Sequence, residues 1–567
     1  MRVPKSPTLR PFSKRIGSAI LALLLLAGCT GEPGRSNAPA GSAADSGHAS
    51  NNQAQANSAQ PASQAVDTQP SSVYYEVFVR SFYDSNGDGI GDFKGLTQKL
   101  DYLNDGNPDT NDDLGVEGIW LMPIQPSPSY HGYDVKDYRS INPDYGTMED
   151  FQKFLDEAHK RGIKVIMDLV VNHTAKSNPW FVESAKNKDS KYRNWYIWAE
   201  DQKRGTGGTS AAGSGSPWHA LLGSHYLGIF WDGMPDLNFD NQEVRDEMKD
   251  IGRFWLKQGV DGFRLDAAKH IYEDLMSDKG KKTTEKNVAW WQEFRSGLNE
   301  VNKDAYLVGE IWDPSATLIA PYLDKALDSG FNFSEAETIV QSVKSEKDGN
   351  LGFTLERIYK LYGEKSGGHF VDATFLTNHD QNRVMSQLDG DLNHAKMGAS
   401  LLLTLPGNPF IYYGEEIGML GVKPDEHIRE PMQWQPGGAQ GQTTWEMATN
   451  NPGKPGSTVK EQIADPKSLL SHYRNMIRLR NSIPALKEGA IREYTTGLPG
   501  ITAFVRYTEK QSVLVVHNLT GSSQTVPLSS ESNQDGSFSK ILKSTDASAA
   551  LSGDKLTIPA YTTVILE

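Results

Sequence analysis

From residue 73 onward the chain alternates short β-rich runs with amphipathic helical runs, and this alternation limits the folds open to it. Eight strand candidates fall at residues 73–80, 118–124, 164–171, 262–268, 305–311, 330–334, 371–379 and 410–415. Between them lie helical faces. Phe151, Phe154, Leu155 and Ala158 recur at i, i+3, i+4 and i+7. Met248, Ile251, Trp255 and Gly259 carry a similar stripe ahead of the fourth strand. Thr147 is placed to cap the first of these helices and Gly162 to end it. The pattern predicts an α/β chain, a (β/α)₈ TIM barrel rather than an open doubly wound sheet. No G-x-G-x-x-G opens a helix after a strand, so dinucleotide binding has no support.

The third strand is followed by a long connection, residues 175–238, rich in Gly, Ser, Trp and Tyr. An insertion of that length usually carries function. The last barrel helix is predicted at 466–482, with Leu469, Leu470, Tyr473, Met476 and Ile477 inward. Beyond residue 484 the alternating runs 501–507, 512–518 and 557–566 predict a C-terminal antiparallel β-sandwich. The expected organisation is therefore barrel at 72–174 and 239–484, inserted domain at 175–238 and β domain at 485–567. The formal net charge of −14 argues against a nucleic-acid partner.

The N-terminus carries Arg2, Lys5, Arg10, Lys14 and Arg15 and no acid, ahead of an apolar run from Ala19 to Leu26. That run is too short to span a bilayer comfortably and reads as a signal-peptide core. It ends in Leu26-Ala27-Gly28-Cys29, which resembles the lipobox of bacterial lipoproteins. The resemblance implies a signal peptide at 1–28 and lipidation of Cys29, with the protein extracytoplasmic and anchored to a cell membrane or outer membrane. Cys29 is the single cysteine, which excludes an intramolecular disulfide and a Cys-based zinc site. Residues 29–71 are rich in Ser, Ala, Gly, Asn and Gln and cannot bury enough surface to fold. They read as a flexible tether with a reach of about 35 Å.

In such a barrel, polar residues at the C-terminal ends of strands are the catalytic candidates. Here they are acidic or imidazole: Asp168 to His173 on strand three, Arg264 and Asp266 on four, Glu310 on five, His379 and Asp380 on seven. Cleaving a glycosidic bond needs two carboxyl groups in different protonation states. Asp266 and Glu310 fit those parts. Arg264 lies two residues before Asp266, so both share one side of a strand, and a guanidinium there favours the ionised carboxylate.

These segments resemble the signature regions of the α-amylase family, glycoside hydrolase family 13. They are Asp168-Leu-Val-Val-Asn172-His173, Gly262-Phe-Arg264-Leu-Asp266-Ala-Ala-Lys269-His270, Gly309-Glu310-Ile-Trp312 and Phe375-Leu-Thr-Asn378-His379-Asp380. Gly115-Val-Glu-Gly-Ile-Trp-Leu-Met-Pro123 and Gly407-Asn-Pro-Phe-Ile-Tyr-Tyr-Gly-Glu415 support them. The resemblance implies Asp266 as nucleophile, Glu310 as general acid/base and Asp380 as the residue that holds sugar hydroxyls. It implies substrate contacts from His131, Tyr133, His173, Arg264 and His379, and from Lys269, which lines a leaving-group subsite in the α-amylase form.

Two Ca²⁺ sites are expected. Asp84, Asn86 and Asp88 offer oxygens at alternate positions, as hard Ca²⁺ prefers, and Asp92 with the Ile90 carbonyl matches a calcium loop of some family members. Asn172, Asp236 and the His270 carbonyl match the family's calcium between barrel and insertion. Met234-Pro-Asp-Leu-Asn238 is intermediate between the versions seen in α-amylases, oligo-1,6-glucosidases and neopullulanases. Arg429-Glu-Pro-Met-Gln-Trp434 resembles a segment of the oligosaccharide-acting branch. The expectation is a monomeric, retaining, endo-acting α-amylase on starch and maltooligosaccharides. Enzymes directed at α-1,6 bonds, cyclodextrins, pullulan or trehalose are the alternatives, with a non-catalytic glucan-binding lipoprotein as the reading from another class.

Overall fold

The computed structural model describes residues 71–567 except 214, 274, 276–280, 439 and 529–537. The signal peptide, Cys29 and nearly all of the tether lie outside the described residues. In chain order the strands begin with β1 (Tyr74–Val77), β2 (Gly118–Leu121) and β3 (Lys164–Leu169). A hairpin follows, β4 (Trp218–Leu221) and β5 (Ser224–Leu227), then β6 (Gly262–Leu265), β7 (Tyr306–Gly309), β8 (Ser329–Gly330), β9 (Ala373–Phe375) and β10 (Asn408–Tyr412). All but the hairpin pair in parallel, in the order β8-β7-β6-β3-β2-β1-β10-β9. Phe331 bridges Ala373 across the two end strands, and the Asn332 amide donates to the Ala373 carbonyl at 3.0 Å. The sheet thus closes into the expected barrel.

Strand alternation explains what the barrel holds. One parity, Tyr74, Trp120, Ile166, Val308, Phe375 and Phe410, forms an aromatic-rich cluster inside the barrel. The other parity, Tyr75, Ile119, Val165, Phe263 and Leu307, packs outward into the main core under the helices. Two residues further along the inward parity come Glu76, Asp168 and Glu310, so the apolar filling gives way to acids toward the mouth.

Local signals set the helices. The helix Met148–Lys160 starts in a reciprocal capping box, Thr147 with Asp150, and buries Phe151, Phe154, Leu155 and Ala158. The helix Gln242–Lys257 buries Met248, Ile251 and Trp255. Gly259 lies beyond its end at φ +105, where it turns the chain instead of extending the stripe. The sixth barrel strand differs from its predicted span 330–334. It is only Ser329–Gly330, because Asn332 accepts the Glu335 amide and starts the helix Phe333–Ser345. The final barrel helix is Leu469–Ser482.

The insertion carries the helix Pro179–Lys186 and the β4–β5 hairpin around an aromatic cluster in which Phe181 stacks on Trp198 at 5.7 Å. It is tied to the end of β3 by the bridge from His173 to Asp236 and by the Leu237 amide, which donates to the Asn172 carbonyl at 2.9 Å; Tyr196 bridges Leu237 within the insertion.

The C-terminal region forms β11 (Ala490–Glu493), β12 (Ile501–Tyr507), β13 (Ser512–Asn518), β14 (Gln524–Pro527), β15 (Ile541–Ser544), β16 (Ala550–Ser552), β17 (Lys555–Ile558) and β18 (Thr563–Leu566). These make antiparallel sheets β11-β12-β13-β18-β15 and β14-β17-β16. Val505, Leu514, Val516 and Leu566 of one share a core with Val526, Leu556 and Ile558 of the other. The predicted run 557–566 is split there into two strands of different sheets. Phe504, Val513, Val515 and Ile565, of opposite parity, join the main core under the barrel helices. Among the described residues no helix is long and apolar enough to cross a membrane.

Candidate active site

Arg264 is fixed by β6 with its guanidinium inside the barrel and only 1% exposed. Its Nη1 donates to Asp168 at 2.9 Å and to Asp266 at 2.6 Å, and its Nη2 donates to Glu310 at 2.8 Å. One cation therefore holds carboxylates from the ends of three strands. The Ala267 amide donates to the same Glu310 oxygen at 3.0 Å. Such charge-assisted bonds in a dry site fix geometry strongly.

The third acid has a different setting. His379 stands between two carboxylates, Nδ1 2.6 Å from Glu76 and Nε2 3.0 Å from Asp380. Arg429 adds a bond from Nη2 to Asp380 at 2.9 Å. Burial alone would lower the His379 imidazole, but Asp380 and Glu76 push it up to about 9. Burial would raise Asp380; His379 and Arg429 instead hold it well below the usual carboxylate range. This acid stays charged.

Burial pushes Asp266 and Glu310 up, and Arg264 opposes that shift in both. Sequence reasoning has Arg264 keeping Asp266 low, whereas in the structure desolvation outweighs it. The two acids still differ. Asp380 raises both; the charge and hydrogen bond of Arg264 oppose this at Asp266, while at Glu310 the Arg264 charge and the Ala267 amide act against the added repulsion of Asp266.

Tyr133 packs flat against His379, ring centroids 5.5 Å apart, and its hydroxyl donates to Asp168 at 3.0 Å. Gly132 before it sits at φ +85, where a Cβ would come within 2.9 Å of Pro123. Only glycine lets the chain pass that close while presenting both His131 and Tyr133. His173 Nε2 lies 3.2 Å from the Tyr133 carbonyl, and burial lowers its imidazole to about 4. Lys269 donates to the Trp312 carbonyl at 2.6 Å.

All three acids line a cavity of about 1180 Å³, together with His131, Tyr133, His173, Lys269 and Arg429. Arg264 lies beneath it, and His379 is behind Asp380. The structure thus brings the sequence-predicted catalytic and substrate residues to one place. Sequence reasoning missed Glu76, Asp168 as a common acceptor for Arg264 and Tyr133, and Arg429 as the partner of Asp380. Strand parity could have pointed to Glu76 and Asp168, which fall inward on β1 and β3. The segment Arg429 to Trp434 is marked only by its resemblance, and nothing local ties Arg429 to Asp380. Phe230 and Trp231 of the insertion also line the cavity.

The expected calcium donors fall in two groups. Asp84 accepts the Asn86, Gly87 and Gly89 amides, Asn86 accepts Asp88, Asp88 accepts Ile90, and Asp92 accepts Ser85 and Gly95. These are oxygen donors of the right kind, turned into their own loop. At the second set, Asp236 is 3% exposed, and its carboxylate receives the Ile229 amide only at 3.3 Å. Asn172 meets the His270 carbonyl at 2.6 Å. A buried carboxylate so weakly bonded beside a carbonyl and an amide fits a hard cation. Among the described residues, no three His, Cys, Asp or Glu side chains converge as a metal cluster.

A model described as alpha amylase, catalytic domain, matches residues 76–489, and one for the alpha-amylase SusG C-terminal domain matches residues 501–565. Alpha-amylase 3 of Dictyoglomus thermophilum is 42% identical over 500 residues, covering 87% of this chain and 93% of that protein. An oligo-1,6-glucosidase of Bacillus cereus is 33% identical over 517 residues, covering 79% and 90%. The crystal structure of an α-amylase from H. orenii superposes with a TM-score of 0.80 at 47% identity, over 88% of this chain and 99% of that one.

Proposed function

The chain belongs to the α-amylase family, glycoside hydrolase family 13, and on that footing we propose that it cuts internal α-1,4-glucosidic bonds of starch and maltooligosaccharides with retention. The observation that carries this reading is the shared hold of Arg264 on Asp266 and Glu310, with Asp380 held ionised at the same cavity.

In the first step Glu310 gives its proton to the glycosidic oxygen as that bond breaks. The Asp266 carboxylate attacks the anomeric carbon and forms a covalent glycosyl-enzyme. The Glu310 carboxylate then takes a proton from water, whose oxygen displaces Asp266 and frees the enzyme. Asp380, backed by His379 and Arg429, accepts hydroxyl protons of the donor sugar. Tyr133 offers its ring as a platform beneath that sugar, with His131 and His173 alongside. Lys269 flanks the leaving-group side, next to Glu310.

Ca²⁺ would be held by Asn172, Asp236 and the His270 carbonyl, with a second ion on the loop Asp84, Asn86, Asp88, Ile90 and Asp92. It would join insertion to barrel and supply no chemistry to the bond being cut. Lipidation at Cys29 would place the enzyme outside the cytoplasm on a tether, acting as a monomer. A second reading, action on α-1,6 bonds, is favoured by the likeness to an oligo-1,6-glucosidase and by the intermediate motif at Met234 to Asn238.

Time-resolved proton NMR of a maltoheptaose digest tests the proposal. Early α-anomeric products from internal bonds are expected. Early β-anomeric products, or cleavage of isomaltose and not of maltoheptaose, would overturn it.

A further inference from the structure

Arg429 touches the site at one end only. Its Nη2 bonds Asp380 at 2.9 Å and its Nε donates to the His379 carbonyl at 3.0 Å. Its backbone is held from elsewhere. The Ser81 hydroxyl donates to the Arg429 carbonyl at 2.5 Å, and the same hydroxyl oxygen accepts the Trp445 indole N–H at 2.8 Å. Ser81 is fully buried, and its own carbonyl accepts the Met432 amide at 2.9 Å.

Trp445 is anchored on several sides. Its amide and that of Thr444 both donate to the Gly89 carbonyl, at 3.1 and 2.7 Å. Its ring stacks on Tyr130 at 5.1 Å and meets the edge of Phe78 at 5.7 Å. Tyr130 in turn lies under the Arg429 guanidinium, 5.9 Å from its centroid, and precedes His131 of the cavity wall. Two segments far apart in sequence therefore meet at one hydroxyl: the turn after β1, which holds Ser81, and the connection between β10 and the last barrel helix, which supplies both Arg429 and Trp445.

We infer that Ser81 and Trp445 are positioning residues for the donor-sugar clamp, holding Arg429 where it fixes Asp380. The inference rests on the reading of Asp380 as a donor-sugar residue. A serine hydroxyl has one proton to give; here it goes to the Arg429 carbonyl, which can only accept, while the oxygen takes the indole N–H, which can only donate. Removing the indole N–H frees the hydroxyl to turn and slackens the carbonyl. Misplacement of a reacting partner by about 1 Å costs up to about 10²-fold in rate.

The test compares Ser81→Ala, Ser81→Thr and Trp445→Phe in the full chain. Kinetics on maltoheptaose, melting curves and crystal structures are recorded for each. Trp445→Phe keeps an aromatic ring against Tyr130 while removing the N–H and the second ring of the indole. The expected result is a kcat lower by about ten- to hundredfold in Ser81→Ala and Trp445→Phe, with KM nearly unchanged. Ser81→Thr, which keeps the hydroxyl, retains most of kcat. In the crystal the Arg429–Asp380 contact lengthens in the first two variants only. A lower melting temperature with parental kcat would overturn the inference, since that is what a merely structural bond predicts. Equal loss in Ser81→Thr and Ser81→Ala would overturn it as well. A parent inactive on every α-glucan would sink the proposed function. The crystallographic contact would still decide the positioning role, and an unchanged Arg429–Asp380 distance would refute it.

Discussion

Arg264 Nη2 lies 2.8 Å from Glu310 Oε2 while Nη1 of the same guanidinium lies 2.6 Å from Asp266. Glu310 and Asp266, the proposed acid and nucleophile, share one buried cation, so removing either carboxyl changes the charge felt by the other. Asp266→Asn keeps the shape and a polar contact but cannot form an ester with the sugar. The fold is expected intact by circular dichroism, with turnover of maltoheptaose down by at least about 10⁴-fold. Substantial residual turnover would remove Asp266 from the nucleophile's role.

His379 is charged because Asp380 and Glu76 flank it, and its proton is lost only near pH 9. The unfolded value is about 6.5. A histidine raised on folding adds stability that is fully present below about 6.5 and lost as pH climbs through about 9. The shift corresponds to an order of 3 kcal/mol. Glu76→Gln takes away one of the two flanking charges. In a profile of kcat/KM against pH, the alkaline limb is expected to move toward lower pH in this variant. A limb unmoved by the substitution would show that His379 does not set it.

Most of the barrel and two of its acids are legible in the sequence because one rule serves both. Inward parity fills the barrel with Trp120, Ile166 and Val308, and the same parity two residues on delivers Asp168 and Glu310. The helix Met148–Lys160 is legible for a similar reason, its cap, stripe and stop all being local. What cannot be read is closure. Glu76 and His379 lie 303 positions apart and meet because β10 pairs with both β1 and β9, which sets the strand ahead of His379 one place from the strand that carries Glu76. Arg429 reaches Asp380 across a turn with no periodicity to predict it. The two-residue β8 is also hidden, since an N-cap at Asn332 competes with strand propensity and wins.

The seam that closes the barrel holds a pair of buried acids. Glu335 is 4% and Asp372 3% exposed, and Asp372 takes bonds from Asn332 at 2.9 Å and Tyr359 at 2.8 Å. Burial, with each other's charge, pushes Glu335 well up, and burial raises Asp372. An acid raised on folding holds its proton where the unfolded chain has released it. Stability therefore falls as pH rises above the unfolded value of about 4.3. Glu335→Gln removes the part of that slope that Glu335 supplies. Its melting temperature is expected to match the parent near pH 4 and to exceed it by a few degrees at pH 8. A difference between variant and parent that is constant with pH would exclude the acid pair as its source.

The last expectation concerns Ca²⁺. Asp236 is buried with only two long contacts from one amide, and it faces the seam where the insertion leaves β3. A cation there would join the insertion, through Asp236, to the barrel, through Asn172 and the His270 carbonyl. An ion that binds only the folded chain stabilises it by about 2.7 kcal/mol at a hundredfold excess over Kd. Chelation is therefore expected to lower the melting temperature by several degrees, and added Ca²⁺ to restore it. Asp236→Asn is expected to start near the chelated value and to lose most of the response. Asp84→Asn, on the other loop, is expected to remove only the part of the response that the second ion supplies. A parent whose melting temperature is the same after exhaustive chelation and after Ca²⁺ addition would mean that neither oxygen set holds the ion. The weak bonding of Asp236 would then be a cost of the fold with no ion to offset it.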